Sequence, residues 1–202
     1  MTTKRSSIIY LASHNPHKIA ELAALLGAQS FELRSLAELS PPLCWEETGT
    51  TFRENAMIKI LAASQRITEA LLAEDSGLEV AALDGAPGVY SSSYAGVEGD
   101  HPGNLRKLLQ VMQGLPRAER RARFVCTLLY REPLSGNIAS FVGSCEGEIL
   151  EAPRGEQGFG YDAVFMPQGQ TQTMAELSRS EKNRLSHRAQ AFAAWLSFMN
   201  AL

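Results

Sequence analysis

The chain has 202 residues, 45% of them apolar, so it is long enough to bury a core, and we expect one folding unit. Its formal net charge of −3 excludes the overall basic surface expected of a duplex nucleic-acid binder. The apolar run Ile8–Ala12 is shorter than a signal-peptide core, and no other run is long enough to span a bilayer. We therefore expect neither a nucleic acid nor a membrane as partner.

Three cysteines, Cys44, Cys126 and Cys145, are odd in number and lie far apart without CxxC spacing. This pattern is typical of reduced thiols in a cytoplasmic protein. Two of the three lie in apolar, strand-like runs, which favours a structural role. We expect no disulfide and a cytoplasmic location.

The first predicted unit is strand, loop and helix. The buried strand Ile8–Ala12 ends in the polar loop 13–17, and a helix opens at Lys18 and stops at Gly27. Backbone N–H groups at the helix start and the Lys18 ammonium could meet a phosphate here. The glycines and GK[ST] ending of a Walker A loop are missing, so an ordinary strand-to-helix loop with a surface lysine is the alternative.

Two acidic pairs flank the second predicted helix. Glu46-Glu47 precedes it, and the helix starts at a capping box formed by Thr51 and Glu54 and runs to about Ile67. The short strand 70–73 follows and leads into Glu74-Asp75, which we place at the strand end, where open α/β sheets hold their ligands. Carboxylate oxygens in such loops suit Mg²⁺, although solvated cap or turn acids give the same pattern.

The middle of the chain predicts a turn at 84–88, a helix over 104–112 and a long antiparallel hairpin. The hairpin strands are 124–130 and 138–145, and they could form a lobe of their own. Continuation of the previous strand over 78–83 is a further expectation.

Two segments near the C-terminus suit a base-binding pocket. In 158–162, aromatic rings alternate with glycines before a carboxylate, so a flat base could stack on a ring, although a tight turn packed in the core is the commoner use. A single helix is predicted from the capping box at Ser178 and Glu181 to about Met199. It would place Lys182 and Ser186 on one face, and a solvated charged face with a structural histidine is the alternative.

Seven segments in this order resemble those of the inosine triphosphate pyrophosphatase family, whose members remove inosine, xanthosine and related purine triphosphates. They are SHNPHK, EETGTTFRENAMIK, AEDSGL, LDGAPGVYSSSYAG, ARFVCTLLY, GFGYDAVF and AELSRSEKNRLSHRAQA. The resemblance extends from Ile8 to the last helix. It implies one pyrophosphatase domain over 1–202, an α/β fold with an elongated mixed central sheet flanked by helices, two lobes with an active cleft between them, and a homodimer.

The resemblance also implies a catalytic centre and a magnesium cofactor. Asp75 is implied as the proton acceptor and a metal contact, with Glu47 and Glu74 as the other Mg²⁺ ligands. Glu46 is an alternative to Glu47. Many bacterial members have two aspartates where this chain has Glu74-Asp75, and a glutamate still offers oxygen ligands.

The substrate residues implied by the resemblance lie in five of these segments. The first loop, where Ser13, Asn15 and Lys18 match the family's phosphate contacts, has the unusual residues His14, Pro16 and His17. Lys59 would reach the triphosphate and Ser76 would touch substrate. The base and sugar pocket would comprise Phe159, Gly160, Tyr161, Asp162, Lys182, His187 and Arg188.

The expected reaction is in-line attack of a metal-bound or Asp75-activated water on the α-phosphorus, releasing pyrophosphate and a nucleoside monophosphate. A donor such as Arg188 suits the O6 acceptor of a 6-keto purine, whereas adenine presents an amino group there. The alternatives are a pyrimidine triphosphate pyrophosphatase of the similarly folded Maf group and a nucleotide-binding regulatory protein without hydrolysis.

Overall fold

The computed structural model describes residues 7–27, 31–36 and 39–201. Six strands form one mixed sheet. They are β1 (Ser7–Ala12), β2 (Phe31–Ser35), β3 (Ala70–Val80), β4 (Arg121–Arg131), β5 (Ile138–Ile149) and β6 (Phe165–Pro167). The five helices in this part of the chain are α1 (Pro16–Leu26), α2 (Phe52–Ser64), α3 (His101–Val111), α4 (Arg179–Leu185) and α5 (His187–Asn200).

The strand order is β2-β1-β3-β4-β5-β6. Strand β1 is parallel to both β2 and β3, and β5 is antiparallel to β6. The α/β class with a mixed sheet and helices is therefore confirmed. None of the helices described combines the length and apolarity needed to cross a bilayer.

The chain divides into two compact units, and β3, β4 and β5 each contribute residues to both. Unit 1 comprises Met1–Asp75, Thr127–Val142 and Ala191–Leu202, and unit 2 comprises Ser76–Cys126 and Gly143–Gln190. The predicted hairpin is thus not a separate lobe, because its strands are inner members of the six-stranded sheet. A single domain over 1–202 stays a prediction.

Each unit has its own apolar core. In unit 1, buried side chains of α2 pack with those of β1, β3 and β4, including Ile60, Leu71 and Leu129. In unit 2, Leu108 of α3 packs with Phe124 and Phe165 of the sheet. These helices bury one side because their apolar residues recur at helical spacing.

Several predicted boundaries were wrong. The helix expected over 104–112 is α3, over His101–Val111, and the strand expected over 78–83 ends at Val80, where a short 3-10 helix begins. Helix α1 starts at Pro16, two residues early, because Asn15 caps it by accepting hydrogen bonds from the N–H groups of His17 and Lys18. Helix α2 ends at Ser64 rather than near Ile67. Strand β3 does not stop at Ala73 but runs on to Val80, so Glu74 and Asp75 lie within a strand rather than at its end.

The C-terminal helix was also predicted wrongly as continuous. Ser186 has extended backbone angles, φ −66° and ψ 149°, and separates α4 from α5. Its hydroxyl accepts a hydrogen bond from the N–H of Ala189 and so caps α5. Lys182 and Ser186 therefore do not share one helix face.

Candidate active site

Glu74 and Asp75 are almost completely buried in the middle of β3, with 1% and 5% of their surfaces exposed. Buried carboxylates require charged or hydrogen-bonding partners. Lys18 lies 3.3 Å from Oε1 of Glu74, and Lys59 lies 2.8 Å from Oδ1 of Asp75. Their ionic pairing explains why the strand continues through two acidic residues.

Lys59 is the cation on which the acidic side chains Glu47 and Asp75 of unit 1 converge. Its ammonium also lies 2.9 Å from Oε2 of Glu47 and donates to the backbone carbonyl of Glu74 at 3.2 Å. The capping box at Thr51 fixes the start of α2 and hence the direction from which Lys59 reaches β3. Of the two candidate glutamates, Glu47 is the one that the structure brings to this lysine.

Asn55 is a site residue that the sequence analysis missed. Its Nδ2 donates to Oδ2 of Asp75 at 3.3 Å, and its Oδ1 accepts from the N–H of Gly49 at 2.8 Å. It is 2% exposed and lies one helical turn before Lys59, on the same face of α2. That four-residue spacing within the matched segment was the feature that could have revealed it.

Burial and the neighbouring charges act in opposite directions on Asp75 and Lys59. Burial is the largest influence on Asp75 and raises the pKa of its carboxyl above the ordinary value, although Lys59 and Lys18 pull it down. Burial also acts to lower the pKa of Lys59, but Asp75 and Glu47 together outweigh it, so that pKa is raised. The pair thus combines a carboxyl with increased basicity and a lysine that stays charged.

The first loop has a compact internal geometry. The Ser13 hydroxyl accepts from the N–H of Asn15, whose side chain caps α1. Pro16 and His17 are exposed residues of the first helical turn rather than of the loop. Lys18 is held beside Glu74, so its ammonium is fixed close to the helix N-terminus, where anions are favoured.

His14 is exposed in this loop, and its imidazole stacks on the indole of Trp45. The ring centroids are 4.2 Å apart and the planes are inclined by 8°. Trp45 immediately precedes the acidic pair Glu46-Glu47. The stack therefore joins the first loop to the segment that carries Glu47.

In unit 2, the turn 158–162 is held together by Asp162. Its Oδ2 accepts from the N–H of Phe159 at 3.0 Å and from Lys182 at 2.6 Å. The Lys182 ammonium also lies 5.4 Å from the centre of the partly buried Phe159 ring. This arrangement places a cation and an aromatic ring side by side.

Tyr161 contributes differently from the expected stacking platform. Its ring is 4% exposed and belongs to the apolar core of unit 2, and its hydroxyl donates to the carbonyl of Ser91 at 2.9 Å. Burial raises its pKa. Of the two rings in the turn, Phe159 is the one with accessible surface, while Gly160 is a positive-φ residue of the turn.

The start of α5 positions two further predicted residues. His187 is buried and stacks on Phe124, with ring centroids 4.9 Å apart. Arg188 is 3% exposed and donates to the Ser76 hydroxyl at 3.0 Å. Ser76 directly follows Asp75 in β3.

The predicted site residues thus fall into two sets, one in each unit. Unit 1 holds those of the first loop, Glu47, Lys59, Glu74 and Asp75, and unit 2 holds Ser76, the turn 158–162, Lys182, His187 and Arg188. Within the described residues, no three His, Cys, Asp or Glu side chains form a cluster that could hold a metal by themselves.

The donor chemistry nevertheless fits a hard divalent cation. Glu47 and Asp75 both contact the Lys59 ammonium, so two carboxylates already converge on one positive charge. Mg²⁺ binds through one or two carboxylates and completes its coordination with water and substrate phosphates. Three protein ligands in one cluster are therefore not required.

Similarity to known proteins covers nearly the whole chain. The dITP/XTP pyrophosphatase of Halalkalibacterium halodurans is 45% identical over 181 residues, which are 90% of this chain and 93% of that protein. The dITP/XTP pyrophosphatase of Geobacillus kaustophilus is 46% identical over 184 residues, covering 91% of this chain and 89% of that protein.

Solved structures agree with these relatives. The Staphylococcus aureus Ham1 protein superposes with a TM-score of 0.85 at 38% identity, covering 96% of this chain and 98% of that one. A HAM1 protein from Coxiella burnetii gives a TM-score of 0.86 at 38% identity, with coverage of 97% and 100%. The model of the Ham1 family matches residues 9–198, and the chain belongs to the Ham1 family.

Proposed function

We propose that this protein hydrolyses non-standard purine nucleoside triphosphates, namely dITP, XTP and ITP, to the monophosphate and pyrophosphate. Its relatives at 45% and 46% identity are dITP/XTP pyrophosphatases. The observation that carries the proposal is the buried Asp75 carboxylate, held between Lys59 and Asn55 beside Glu47 and Glu74. Such an arrangement suits proton transfer close to a polyanionic substrate.

Asp75 accepts the proton of the attacking water. One carboxylate oxygen is engaged by Lys59 and the other by Asn55, and each oxygen retains a lone pair for a water. A bond forms between the water oxygen and the α-phosphorus, the bond from the α-phosphorus to the bridging oxygen breaks, and pyrophosphate leaves. The raised pKa of Asp75 favours this base role, because a very acidic carboxylate binds a proton too weakly.

The cations of unit 1 neutralise the triphosphate. Lys18 and Lys59 each pair with a carboxylate, and either ammonium can also donate to a phosphate oxygen because it has three protons. The N-terminus of α1 adds a partial positive charge at Ser13 and Asn15. These fixed groups stabilise the negative charge that develops on the phosphate oxygens.

The base is bound by residues of unit 2. The Phe159 ring supplies a stacking surface, while Lys182 and Arg188 supply donors for the 6-keto oxygen, which adenine lacks. Tyr161 and Asp162 hold the turn, and His187 sets the start of α5 through its stack on Phe124. A purine with O6 is therefore preferred over ATP.

Mg²⁺ is the proposed cofactor, with Glu47 and Asp75, which converge on Lys59, as carboxylate ligands and Glu74, which pairs with Lys18, as the third candidate. When bound, the metal supplies charge neutralisation of the phosphate oxygens and acidifies bound water. Addition of excess EDTA is expected to abolish hydrolysis, and Mg²⁺ to restore it.

The test is a panel of XTP, dITP, ITP, GTP, ATP, dTTP and UTP, with both products identified by chromatography. We expect monophosphate and pyrophosphate from the first three and much slower turnover of ATP, dTTP and UTP. GTP shares the 6-keto oxygen, so slow turnover of GTP would show that the pocket disfavours the 2-amino group. Asp75→Asn should lose turnover but still bind the triphosphate. Preferential hydrolysis of dTTP or UTP would favour the pyrimidine enzyme, and tight ITP binding without release of pyrophosphate would favour a binding protein.

The protein is further proposed to act as one catalytic domain, as a homodimer in the cytoplasm. Light scattering coupled to size-exclusion chromatography tests the dimer directly. A mass of about 22 kDa, that of one chain, would contradict it.

A further inference from the structure

We infer that the stacked rings of His14 and Trp45 form a positioning pair, which holds the Glu47 segment against the first loop and thereby strengthens divalent-metal binding. This inference rests on the proposed function. The two rings act as positioning residues rather than as catalytic ones. Their effect is exerted through the geometry of Glu47.

The segment 41–50 contains no helix or strand, so isolated contacts have to fix it. Near its start, Arg66 donates to the Pro41 carbonyl at 2.7 Å. Near its end, the N–H of Gly49 donates to Asn55 at 2.8 Å. Both anchors come from α2 or the residues that follow it, and neither connects the segment to the first loop.

Trp45 provides that connection in the middle of the segment. Its side chain packs against the apolar core of unit 1, and the plane of its ring is within 8° of parallel to that of the His14 ring. Stacked aromatic rings resist both separation and tilting. Trp45 is therefore held by the core and by the loop that bears Ser13 and leads into α1.

Glu47 is the residue whose position is restricted by the contact between Trp45 and the first loop. Its side chain is 42% exposed, and the ion pair that the structure gives it is with Lys59. Only Glu46 separates it from Trp45, so the two backbone positions lie at most about 7 Å apart, and fixing Trp45 strongly limits where Glu47 can go. A carboxylate already confined loses less entropy when it binds a cation.

The test measures Mg²⁺ binding to the substrate-free protein by calorimetry, with hydrolysis of XTP as a second measurement. The variants are Trp45→Ala, His14→Ala, the double variant and Trp45→Phe. We expect each alanine variant to weaken Mg²⁺ binding about five- to tenfold, the scale of coupling between contacting residues, and the double variant to be no worse than either. Trp45→Phe should retain most of the affinity because it retains a ring.

In the kinetic measurement, the Mg²⁺ concentration for half-maximal rate should rise in both alanine variants, and kcat of Trp45→Ala at saturating Mg²⁺ should stay within about twofold of the wild-type value. Cys44→Ser is the matched control, because it alters the neighbouring exposed residue and leaves the stack intact. Circular dichroism and thermal unfolding verify that each variant is folded.

Three outcomes would overturn the inference. These are wild-type Mg²⁺ affinity in both alanine variants, an effect of Trp45→Ala that His14→Ala does not share, and a Trp45→Phe protein as weak as Trp45→Ala. A wild-type protein that binds Mg²⁺ but hydrolyses no purine triphosphate would instead refute the proposed function. The calorimetric comparison still decides whether the rings position a metal ligand.

Discussion

Asp75 illustrates how a single residue gains its properties from opposing influences. Burial makes its charged form unfavourable, whereas Lys59 and Lys18 stabilise that form. A buried carboxylate without neighbouring cations would stay protonated. A carboxylate whose charge is strongly stabilised by cations would have a low pKa and be a poor base. The balance between these influences comes from three different elements, α1, α2 and β3.

At the same scale, Asn55 is predicted to orient the Asp75 carboxylate. Asn55→Ala removes the donor to Oδ2 and should lower kcat for XTP by roughly tenfold, the usual cost of one hydrogen bond to a charged group, with little change in KM. Steady-state kinetics measures both constants. Asn137→Ala, in the exposed hairpin loop, is the control, and equal kcat values for both variants would refute the role.

Lys59 is predicted to stabilise the fold as well as the site. Lys59→Met leaves Asp75 buried beside Glu47 without its cation and should reduce the free energy of unfolding by about 3 kcal/mol. Urea denaturation measures this change.

The control for that experiment is Lys107→Met, since Lys107 is exposed and contacts the carbonyl and the ring of Tyr94 rather than a buried carboxylate. Adding Asp75→Asn to Lys59→Met should recover part of the lost stability, because the uncompensated charge is then removed. If the loss of unfolding free energy in the double variant equalled the sum of the losses in the two single variants, the two charges would not be coupled.

At the scale of elements, the local sequence pattern gave wrong predictions for two features. These are the acidic residues inside β3 and the break between α4 and α5. Polar residues after an apolar run normally indicate a strand end, but β3 continues because lysines from α1 and α2 neutralise its acids. Ser186 satisfies helical periodicity, yet its hydroxyl caps a new helix instead. Both outcomes depend on partners distant in sequence or on a competing local hydrogen bond.

The turn 158–162 supports a prediction about two glycines. A Cβ at Gly158 would lie 2.1 Å from Oδ2 of Asp162, at φ +78°, whereas a Cβ at Gly160, at φ +63°, would meet no atom within 4 Å. Gly158→Ala should therefore reduce the free energy of unfolding by more than the roughly 1 kcal/mol expected of backbone strain alone in Gly160→Ala.

Urea denaturation of the two alanine variants provides the comparison, and the KM for XTP in Gly158→Ala should rise, since Asp162 also holds Lys182. Equal destabilisation by the two substitutions would mean that the Asp162 contact does not constrain the turn.

At the scale of the whole molecule, stability should fall at high pH. Burial raises the pKa of Cys145 from its ordinary value of 9.0 to about 11, so the unfolded chain loses this proton first. The contribution of the protonated Cys145 thiol to the free energy of unfolding is fully present below pH 9 and is lost as the pH rises towards 11. Buried tyrosines such as Tyr161 act in the same direction.

Thermal unfolding at pH 8 and pH 10.5 tests the contribution of this thiol. The melting temperature of Cys145→Ala should fall less over that interval than the wild-type value. Cys44→Ala serves as the control because Cys44 is exposed and should behave as wild type. Identical pH dependence in the two variants would exclude Cys145 as a source of the effect.

The sequence by itself determined the α/β class, the capping boxes at Thr51 and Ser178, and the matched segments that contain Asp75, Lys59 and Lys182. These features are local, since periodicity, capping and motif order are properties of neighbouring residues. Only the tertiary structure decided that Asn55 contacts Asp75, that Tyr161 is a core residue and that His14 stacks on Trp45. These pairings depend on how separate elements pack, and no short-range pattern records which of several available side chains a buried charge or ring will meet.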